Sequence, residues 1–198
     1  MRHPGLLAVL AASTPTAVIE PSPEQGAVPV PAGRKYCLRR ISAYLGAQDI
    51  PEELITSVRC LVQAGGKVVV CTNRDGISHP WPGGRREPGE TIRATAIREV
   101  HEETGWLVEE ASLHQLGWLH LEYLRPQPED HPYPHPDFCQ IVLAGKAAQR
   151  TGGHAASWTD TDGYETSSQL MTVEDAWQAV SGDPASRTYL PLLTTYPA

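Results

Sequence analysis

The chain has 198 residues, of which 40% are hydrophobic, and this suits one globular domain of ordinary size with an added extension. The formal net charge is -7, and the sequence has neither a basic stripe nor a helix-turn-helix pattern, which excludes an ordinary nucleic-acid-binding protein. No apolar run reaches the length of a membrane-spanning helix. We therefore expect no nucleic acid and no membrane as partners.

Residues 1–34 predict a flexible leader, because they are rich in proline and alanine and show little periodicity. The apolar run at residues 5–12 is similar to the hydrophobic part of a secretory signal, but it is short and lacks a convincing cleavage site. We therefore expect no export. A misassigned start or a small N-terminal helix accounts for the run equally well.

Residues 35–55 predict a helical extension that packs on a main domain spanning residues 56–198. Apolar side chains recur there at helical spacing ahead of Gly46. These residues are Cys37, Leu38, Ile41, Tyr44 and Leu45.

The main domain begins with β-rich segments. Ser57 to Val62 and Lys67 to Thr72 predict two strands of a hairpin joined by Ala64-Gly65-Gly66. Leu116 to Tyr123 and Phe138 to Ala147 predict two further strands, separated by a loop rich in proline and histidine. Because helical segments alternate with these strands, we expect an α/β fold in which helices cover the faces of a mixed sheet.

A helix is predicted between Thr91 and Thr104, where the chain has no proline or glycine, and Gly105 suits its C-terminal end. One face carries an apolar stripe, formed by Ala96, Ile97 and Val100. Another face collects three carboxylates, which belong to Glu99, Glu102 and Glu103.

This carboxylate face predicts a metal site. Like charges at i, i+4, as in Glu99 and Glu103, destabilise a helix by about 0.2–0.5 kcal/mol per pair unless a cation neutralises them. Oxygen ligands without a nearby cysteine or paired histidine favour Mg²⁺, with Mn²⁺ as a substitute. Arg98 precedes Glu102 by one helical turn and can hold its carboxylate in place.

A glycine-rich loop precedes this helix and brings Arg85 and Arg86 next to it. These cations would help a chain of net negative charge to bind a phosphate. Alternatively, each of these charged side chains, taken alone, is an ordinary surface residue exposed to solvent.

The fixed residues from Gly84 to Trp106 resemble the signature of the Nudix hydrolases. In that signature a glycine and then a glutamate precede the run Arg-Glu-U-x-Glu-Glu-x-Gly-U, in which U is a bulky aliphatic residue. Every position that the signature fixes to one residue type matches. The last U position departs from the pattern, since Trp106 occupies it in place of an aliphatic residue. The resemblance implies the Nudix α/β/α sandwich.

The resemblance also implies the roles of individual residues. Glu102 and Glu103 would be metal ligands, Glu99 a ligand or the general base, and the carbonyl of Gly84 a further ligand. Glu90 would stabilise the junction of loop and helix. Glu165 would be an extra ligand, a base or a substrate contact, with Glu122 as a weaker rival for the base.

The implied activity is hydrolysis of a nucleoside diphosphate linked to another group. Tyr123 lies where a tyrosine is associated with diadenosine polyphosphate hydrolysis in the family, and a nucleoside triphosphate remains open as substrate. Two other functional hypotheses remain beside hydrolysis: a domain that senses nucleotides without turnover, and a diphosphate isomerase that uses a cysteine.

The remaining segments carry weaker expectations. The loop from Asp130 to Asp137 either lines the substrate entrance, with Tyr133 stacking on a base, or is a stiff connector. Residues 152–168 predict a polar loop, and Thr172 with Asp175 predicts the start of a helix. The cysteines show no disulfide pattern, which favours buried thiols in the cytoplasm. They are Cys37, Cys60, Cys71 and Cys139.

Overall fold

The structure is a computed structural model, and it describes residues 2–21, 39–153, 158–180 and 182–195. The described strands are β1 (Ala17–Ile19), β2 (Arg39–Leu45), β3 (Ile55–Ala64), β4 (Lys67–Asn73), β5 (Ser78–His79), β6 (Trp106–Val108), β7 (His114–Tyr123), β8 (Asp137–Arg150) and β9 (Glu165–Met171). The described α-helices are α1 (Pro4–Ala12), α2 (Ile92–Thr104), α3 (Val173–Ala179), α4 (Pro184–Tyr189) and α5 (Leu192–Thr195). Short 3-10 helices cover Glu52–Leu54 and Glu110–Ser112.

A mixed β-sheet forms the centre of the molecule. Its strands follow the order β1-β2-β7-β8-β3-β4-β5, while β6 pairs with the far end of β8 and β9 pairs with β4. Strands β3 and β8 run parallel, and the other described pairs are antiparallel. The mixed sheet expected from the sequence is therefore present.

Helices cover both faces of this sheet. On one face Leu6 of α1 joins Ala96 and Val100 of α2 in a buried apolar cluster. On the other face Ala176 of α3 and Tyr189 of α4 join a second cluster. Three layers result because a sheet with two apolar faces must bury both. The expected α/β/α sandwich is confirmed.

The predicted hairpin of β3 and β4 is confirmed. The two strands pair through Gln63 with Val68 and Ala64 with Lys67. Gly65 and Gly66 make the turn with φ of 56° and 76°, a region that glycine enters without steric cost.

The helix expected before Gly46 is wrong, because Arg39–Leu45 form strand β2. This strand lies between β1 and β7 and pairs with both in antiparallel register. Backbone pairing on both sides, together with burial of Ala43 and Tyr44, outweighs the helical spacing of the apolar residues. Cys37 and Leu38 lie outside the described residues.

The expected flexible leader is wrong for its first part. Residues Pro4–Ala12 form α1, and the side chain of Leu6 is fully buried against the sheet. Strand β1 then extends the sheet beyond β2. The remainder of the expected leader, residues 22–34, lies outside the described residues.

The polar loop expected at residues 152–168 is shorter than predicted, because β9 begins at Glu165. Its sequence is too polar to predict a strand, but pairing with β4 satisfies its backbone. The helix start after it is confirmed, since the Thr172 hydroxyl accepts a hydrogen bond from the Asp175 amide at 3.1 Å.

The thiols of Cys60, Cys71 and Cys139 are free and buried, as expected. Among the described helices none combines the length and the apolar character that crossing a membrane requires.

Candidate functional site

Helix α2 carries the carboxylates of the candidate site. It ends at Gly105 as predicted, and Thr91, expected within its first turn, caps its N-terminal end instead. The Thr91 hydroxyl accepts a hydrogen bond from the Ala94 amide at 3.1 Å at the N-terminal end. Gly105 ends the helix in the left-handed region with φ of 73°. The Trp158 indole donates to the Glu102 carbonyl at 2.9 Å, which holds the last turn in place.

Arg98 connects the carboxylates of the site. Its guanidinium donates two hydrogen bonds to Glu90, at 2.7 and 3.0 Å. Its Nη1 lies 2.9 Å from oxygens of both Glu99 and Glu102. Its Nη2 also donates to the carbonyl of Arg85 in the preceding loop at 2.9 Å. One guanidinium therefore fixes the helix to the loop and orients two carboxylates.

Glu90 is the anchor of this network. Besides Arg98, its carboxylate accepts hydrogen bonds from the Thr95 hydroxyl and the Glu87 amide. The bonds from Arg98 lower the pKa of Glu90 to about 2. The residue is ionised at any ordinary pH and holds the junction of loop and helix.

The loop before α2 approaches the carboxylates through two glycines. The Gly83 amide donates to Oε2 of Glu103 at 3.0 Å, and Arg59 donates to the Gly83 carbonyl. A Cβ at Gly84 would lie 2.6 Å from the Glu99 carboxylate oxygens, so a larger residue would displace Glu99. The Gly84 carbonyl accepts from the Val58 amide at 3.0 Å. These contacts bring backbone and carboxylates together.

Glu103 is the most perturbed carboxylate of the site. Burial raises its pKa to about 8, although Arg59 and the Gly83 amide act in the opposite direction. The negative charges of Glu165 and Glu99 raise it further. Burial also raises the pKa of Glu99, against the effect of Arg98. Burial is therefore the main reason that both carboxylates hold a proton more tightly than a free glutamate does.

Two clefts meet at Glu103. The first cleft has a volume of about 450 Å³. It is lined by Gly84, Arg85, Glu99, Glu102, Glu103 and Asp160, among others. The second cleft has a volume of about 400 Å³ and contains the side chains of Trp81 and Glu165. Both are large enough for part of a small-molecule ligand.

A family comparison agrees with this arrangement. The model of the NUDIX domain matches residues 54–193, which is most of the chain. The chain belongs to the Nudix hydrolase family.

One curated relative and two solved structures illustrate the relationship. The mouse protein "Nucleoside diphosphate-linked moiety X motif 6" is 46% identical over 56 residues, covering 27% of this chain and 18% of the relative. The chain thus matches less than a fifth of that protein's length.

The pyrophosphohydrolase BsRppH of Bacillus subtilis superimposes with a TM-score of 0.58 and 18% identity, over 80% of this chain and 92% of the other. A NUDIX hydrolase from Nitrosomonas europaea gives 0.50 and 18%, over 71% and 89%. At these identities the structures show a shared fold.

The chemistry of the Nudix carboxylates fits a hard divalent cation. All side-chain donors are oxygens, and the partly buried Glu103 accepts a single backbone hydrogen bond. Within the described ranges, however, no group of three or more His, Cys, Asp or Glu side chains is arranged to hold a metal ion. Arg98 draws Glu99 and Glu102 toward itself in this structure.

The two arginines predicted to bind substrate differ in their surroundings. Arg85 lines the first cleft, with its guanidinium carbon 4.4 Å from the centre of the Tyr133 ring. Arg86 also lines this cleft, but its guanidinium donates to the carbonyls of Ile55 and Glu90 and to Glu52. Arg86 therefore holds the loop, and Arg85 is the freer cation of the pair.

The other predicted residues are not all near the clefts. Glu165 lines the second cleft, with Oε1 2.9 Å from Nε2 of His79. Tyr123 is buried against Phe138 and lines neither cleft. Glu122 also lies outside both and pairs with Arg2 and Arg40.

The Pro- and His-rich loop places Tyr133 against two neighbours. Its ring stacks on Phe138 with centroids 5.1 Å apart, and it also contacts Arg85. Like Tyr123, Tyr133 lies outside both clefts. These contacts favour the connector over the base-stacking alternative.

Sequence reasoning missed Arg59 and Asp160. Arg59 lies within the apolar strand β3 and reaches the Gly83 carbonyl beneath Glu103. A charged residue inside a buried strand was the available signal. Asp160 accepts hydrogen bonds from the Tyr164 and Glu165 amides, and so positions Glu165.

Proposed function

We propose that the chain is a Mg²⁺-dependent pyrophosphohydrolase that cleaves a phosphoanhydride bond in a nucleoside diphosphate linked to another group. The observation that carries this proposal is the network in which Arg98 orients Glu99 and Glu102 beside the partly buried carboxylate of Glu103. The network lines the first cleft, and Glu103 lines the second cleft as well. The phosphate chain of such a substrate would lie in the first cleft, and a group attached to that chain would extend into the second cleft.

Glu99, Glu102 and Glu103, with the carbonyl of Gly84, would hold the Mg²⁺, and Mn²⁺ would substitute for it. When bound, such a cation supplies charge neutralisation of the phosphates and acidification of a coordinated water. The carboxylates that line the first cleft would otherwise repel a polyphosphate. Glu103 enters this role in its ionised form, which a cation would favour over the protonated form.

The side chains around the site have separable roles in this proposal. Arg98 positions the carboxylates, while Arg85 contacts phosphate in the first cleft. Glu99 is the proposed proton acceptor, because its carboxylate faces the Gly84 backbone and lines that cleft. Glu165 is the alternative base, and it stands on the side of the second cleft. Glu122 lines neither cleft, so its role as a base has no support from the geometry.

The proposed substrates are a dinucleoside polyphosphate or a nucleoside triphosphate. The names of the mouse relative and of the Bacillus protein support a nucleoside diphosphate derivative and pyrophosphate cleavage in general terms. Tyr123 gives the dinucleoside choice no support, since it is buried outside the clefts. The isomerase alternative lacks support as well, because Cys60, Cys71 and Cys139 line neither cleft.

We place this activity in the cytoplasm. Three buried free thiols support a reducing compartment.

The test is hydrolysis of dinucleoside polyphosphates, nucleotide sugars, ADP-ribose and nucleoside triphosphates with Mg²⁺, followed by release of the products. The double variant Glu102→Gln, Glu103→Gln should lose turnover by at least about 100-fold, as should the wild-type chain in EDTA. Glu109→Gln, which changes an exposed carboxylate beyond α2, is the matched control and should keep full activity.

A chain that binds these nucleotides with Mg²⁺ but cleaves none of them would contradict the proposal. That result would favour a nucleotide sensor instead.

A further inference from the structure

The second cleft is built partly from residues outside the segment that matches the Nudix family. Ile19 of β1 and Ile41 of β2 line it, whereas the family match begins at residue 54. These two residues are direct cross-strand partners. The N-terminal strands thus supply apolar surface to a cleft that Glu103 also lines.

The remaining lining mixes apolar and polar side chains, and it includes the charged residues Arg59 and Asp183. Leu119 continues the apolar surface on β7, and the Trp81 indole lies in the same cleft. Gln140 of β8, the register partner of Leu119, brings an amide to its floor. Small-molecule sites combine apolar surface with polar groups that fix the orientation of the ligand, and this cleft offers both.

Two buried polar atoms in this cleft lack a hydrogen-bond partner within the described residues. They are Oε2 of Glu165, whose side chain is 2% exposed, and Nδ1 of His79. A buried carboxylate oxygen without a donor is costly, and native structures rarely leave one so. The Glu165 oxygen therefore points to a ligand that brings an N–H donor into the cleft.

We propose that the second cleft binds the nucleobase of the substrate, and that Ile19 and Ile41 of the N-terminal strands form the wall that determines which base is accepted. A nucleobase is flat and largely apolar on its faces, which suits the isoleucine and tryptophan surfaces. Its ring or exocyclic N–H groups are donors for Glu165, and Gln140 can both donate and accept. The assignment of this group to the substrate rests on the proposed function, but its binding requires no turnover.

The first measurement uses the unaltered full chain. With isoleucine δ1-methyl groups labelled, guanosine and adenosine, which carry no phosphate, are titrated and followed by NMR. We expect the methyl signals of Ile19 and Ile41 to shift with at least one nucleoside. Ile50, buried in the cluster on the opposite face of the sheet, should not shift. No shift at Ile19 and Ile41, or equal shifts at Ile50, would overturn the proposal.

The second measurement uses a matched pair of variants on one strand. Ile19→Glu places a charge in the cleft and should weaken nucleoside binding at least about tenfold. Val18→Glu makes the same change on the neighbouring residue, which lies outside the cleft and is 49% exposed, and should change binding by less than about twofold. Circular dichroism checks that both variants fold. Equal binding by two folded variants would contradict the assignment.

Hydrolysis then separates this inference from the proposed function. For a cleaved nucleotide, Ile19→Glu should raise KM at least about tenfold and change kcat little, because the base binds equally before and during the reaction. Hydrolysis of tripolyphosphate, which has no base, should be the same in both variants. If the wild-type chain cleaves nothing, the proposed function fails, while the nucleoside measurements still decide the base site.

Discussion

At the scale of single residues, the site depends on how Glu103 is buried. Its carboxylate has one backbone donor, the Gly83 amide, and Arg59 lies nearby. These do not offset burial, so the pKa rises to about 8 from an ordinary value of 4.5. Glu90 shows the reverse, since Arg98 lowers its pKa to about 2. The pKa values of two glutamates of one motif are therefore shifted in opposite directions in the metal-free chain.

The raised pKa of Glu103 predicts a pH-dependent loss of stability in the metal-free chain. The folded state holds the proton more tightly than the unfolded state, so this stabilisation is complete below about pH 4.5 and is lost as the pH rises through about 8. In EDTA, Glu103→Gln should therefore gain Tm relative to wild type between pH 5 and pH 8.5, by at least about 2–4 °C.

Thermal unfolding across this pH range checks the prediction. Glu109→Gln, an exposed carboxylate, should show no such gain. Mg²⁺ should raise the Tm of the wild type at pH 8.5 and leave that of Glu103→Gln nearly unchanged. A constant Tm difference between Glu103→Gln and wild type at all pH values would show that Glu103 ionises normally.

At the scale of elements, the loop and helix α2 form one unit. Arg98 binds the loop carbonyl of Arg85 and the junction residue Glu90, while Gly84 lies directly against Glu99. The position of the helix is therefore coupled to the loop backbone through Arg98 and Glu99, which are also residues of the candidate site. This coupling explains why small residues and charged residues occur at fixed intervals in this segment.

Gly84→Ala tests the coupling. The added Cβ would lie 2.6 Å from the Glu99 oxygens, so Glu99 must turn away from its position beside Arg98. We expect kcat to fall about 10- to 100-fold, with only a small change in Tm because the backbone conformation itself is not restricted to glycine.

Steady-state kinetics and thermal unfolding of the variant provide the measurement. Gly182→Ala is the control, since its Cβ would have no neighbour within 4 Å and its activity should match wild type. Normal kcat in Gly84→Ala would mean that Glu99 does not need this position.

At the scale of the whole molecule, the N-terminal segment belongs to the packed structure. Helix α1 covers one face of the sheet through Leu6, and β1 and β2 extend the sheet on the far side of β7. Arg2 and Arg40 pair with Glu122 of β7, and Arg2 also approaches Asp137 of β8. The segment thus contributes both to stability and to the wall of the second cleft.

Substitution of two neighbouring leucines of α1 should destabilise the chain to very different extents. Leu6→Ala removes a fully buried side chain and should cost about 2–5 kcal/mol in the free energy of unfolding. Leu7→Ala changes a side chain that is 45% exposed and should cost at most about 0.5 kcal/mol. Denaturant unfolding of both variants measures the difference. Equal small losses would mean that α1 does not pack on the sheet in solution.

The sequence determined the features that depend on local spacing. Thr91 and Gly105 marked both ends of α2, and the turn glycines with apolar alternation marked the β3–β4 hairpin. Helical periodicity alone predicted that three carboxylates share one face of α2. Residues of one helix come together without help from any other part of the chain. Family membership rested on the same short segment and was confirmed.

Tertiary structure decided the features that depend on distant partners. Arg39–Leu45 have helical spacing but form a strand, because β1 and β7 supply hydrogen bonds on both sides. Arg59 and Glu165 come to Glu103 from separate strands, and no spacing along the chain relates them. Tyr123 and Glu122 matched expected roles by position but face other neighbours. Local backbone preferences are encoded within a few residues, whereas burial and charge pairing depend on which strands the sheet brings together.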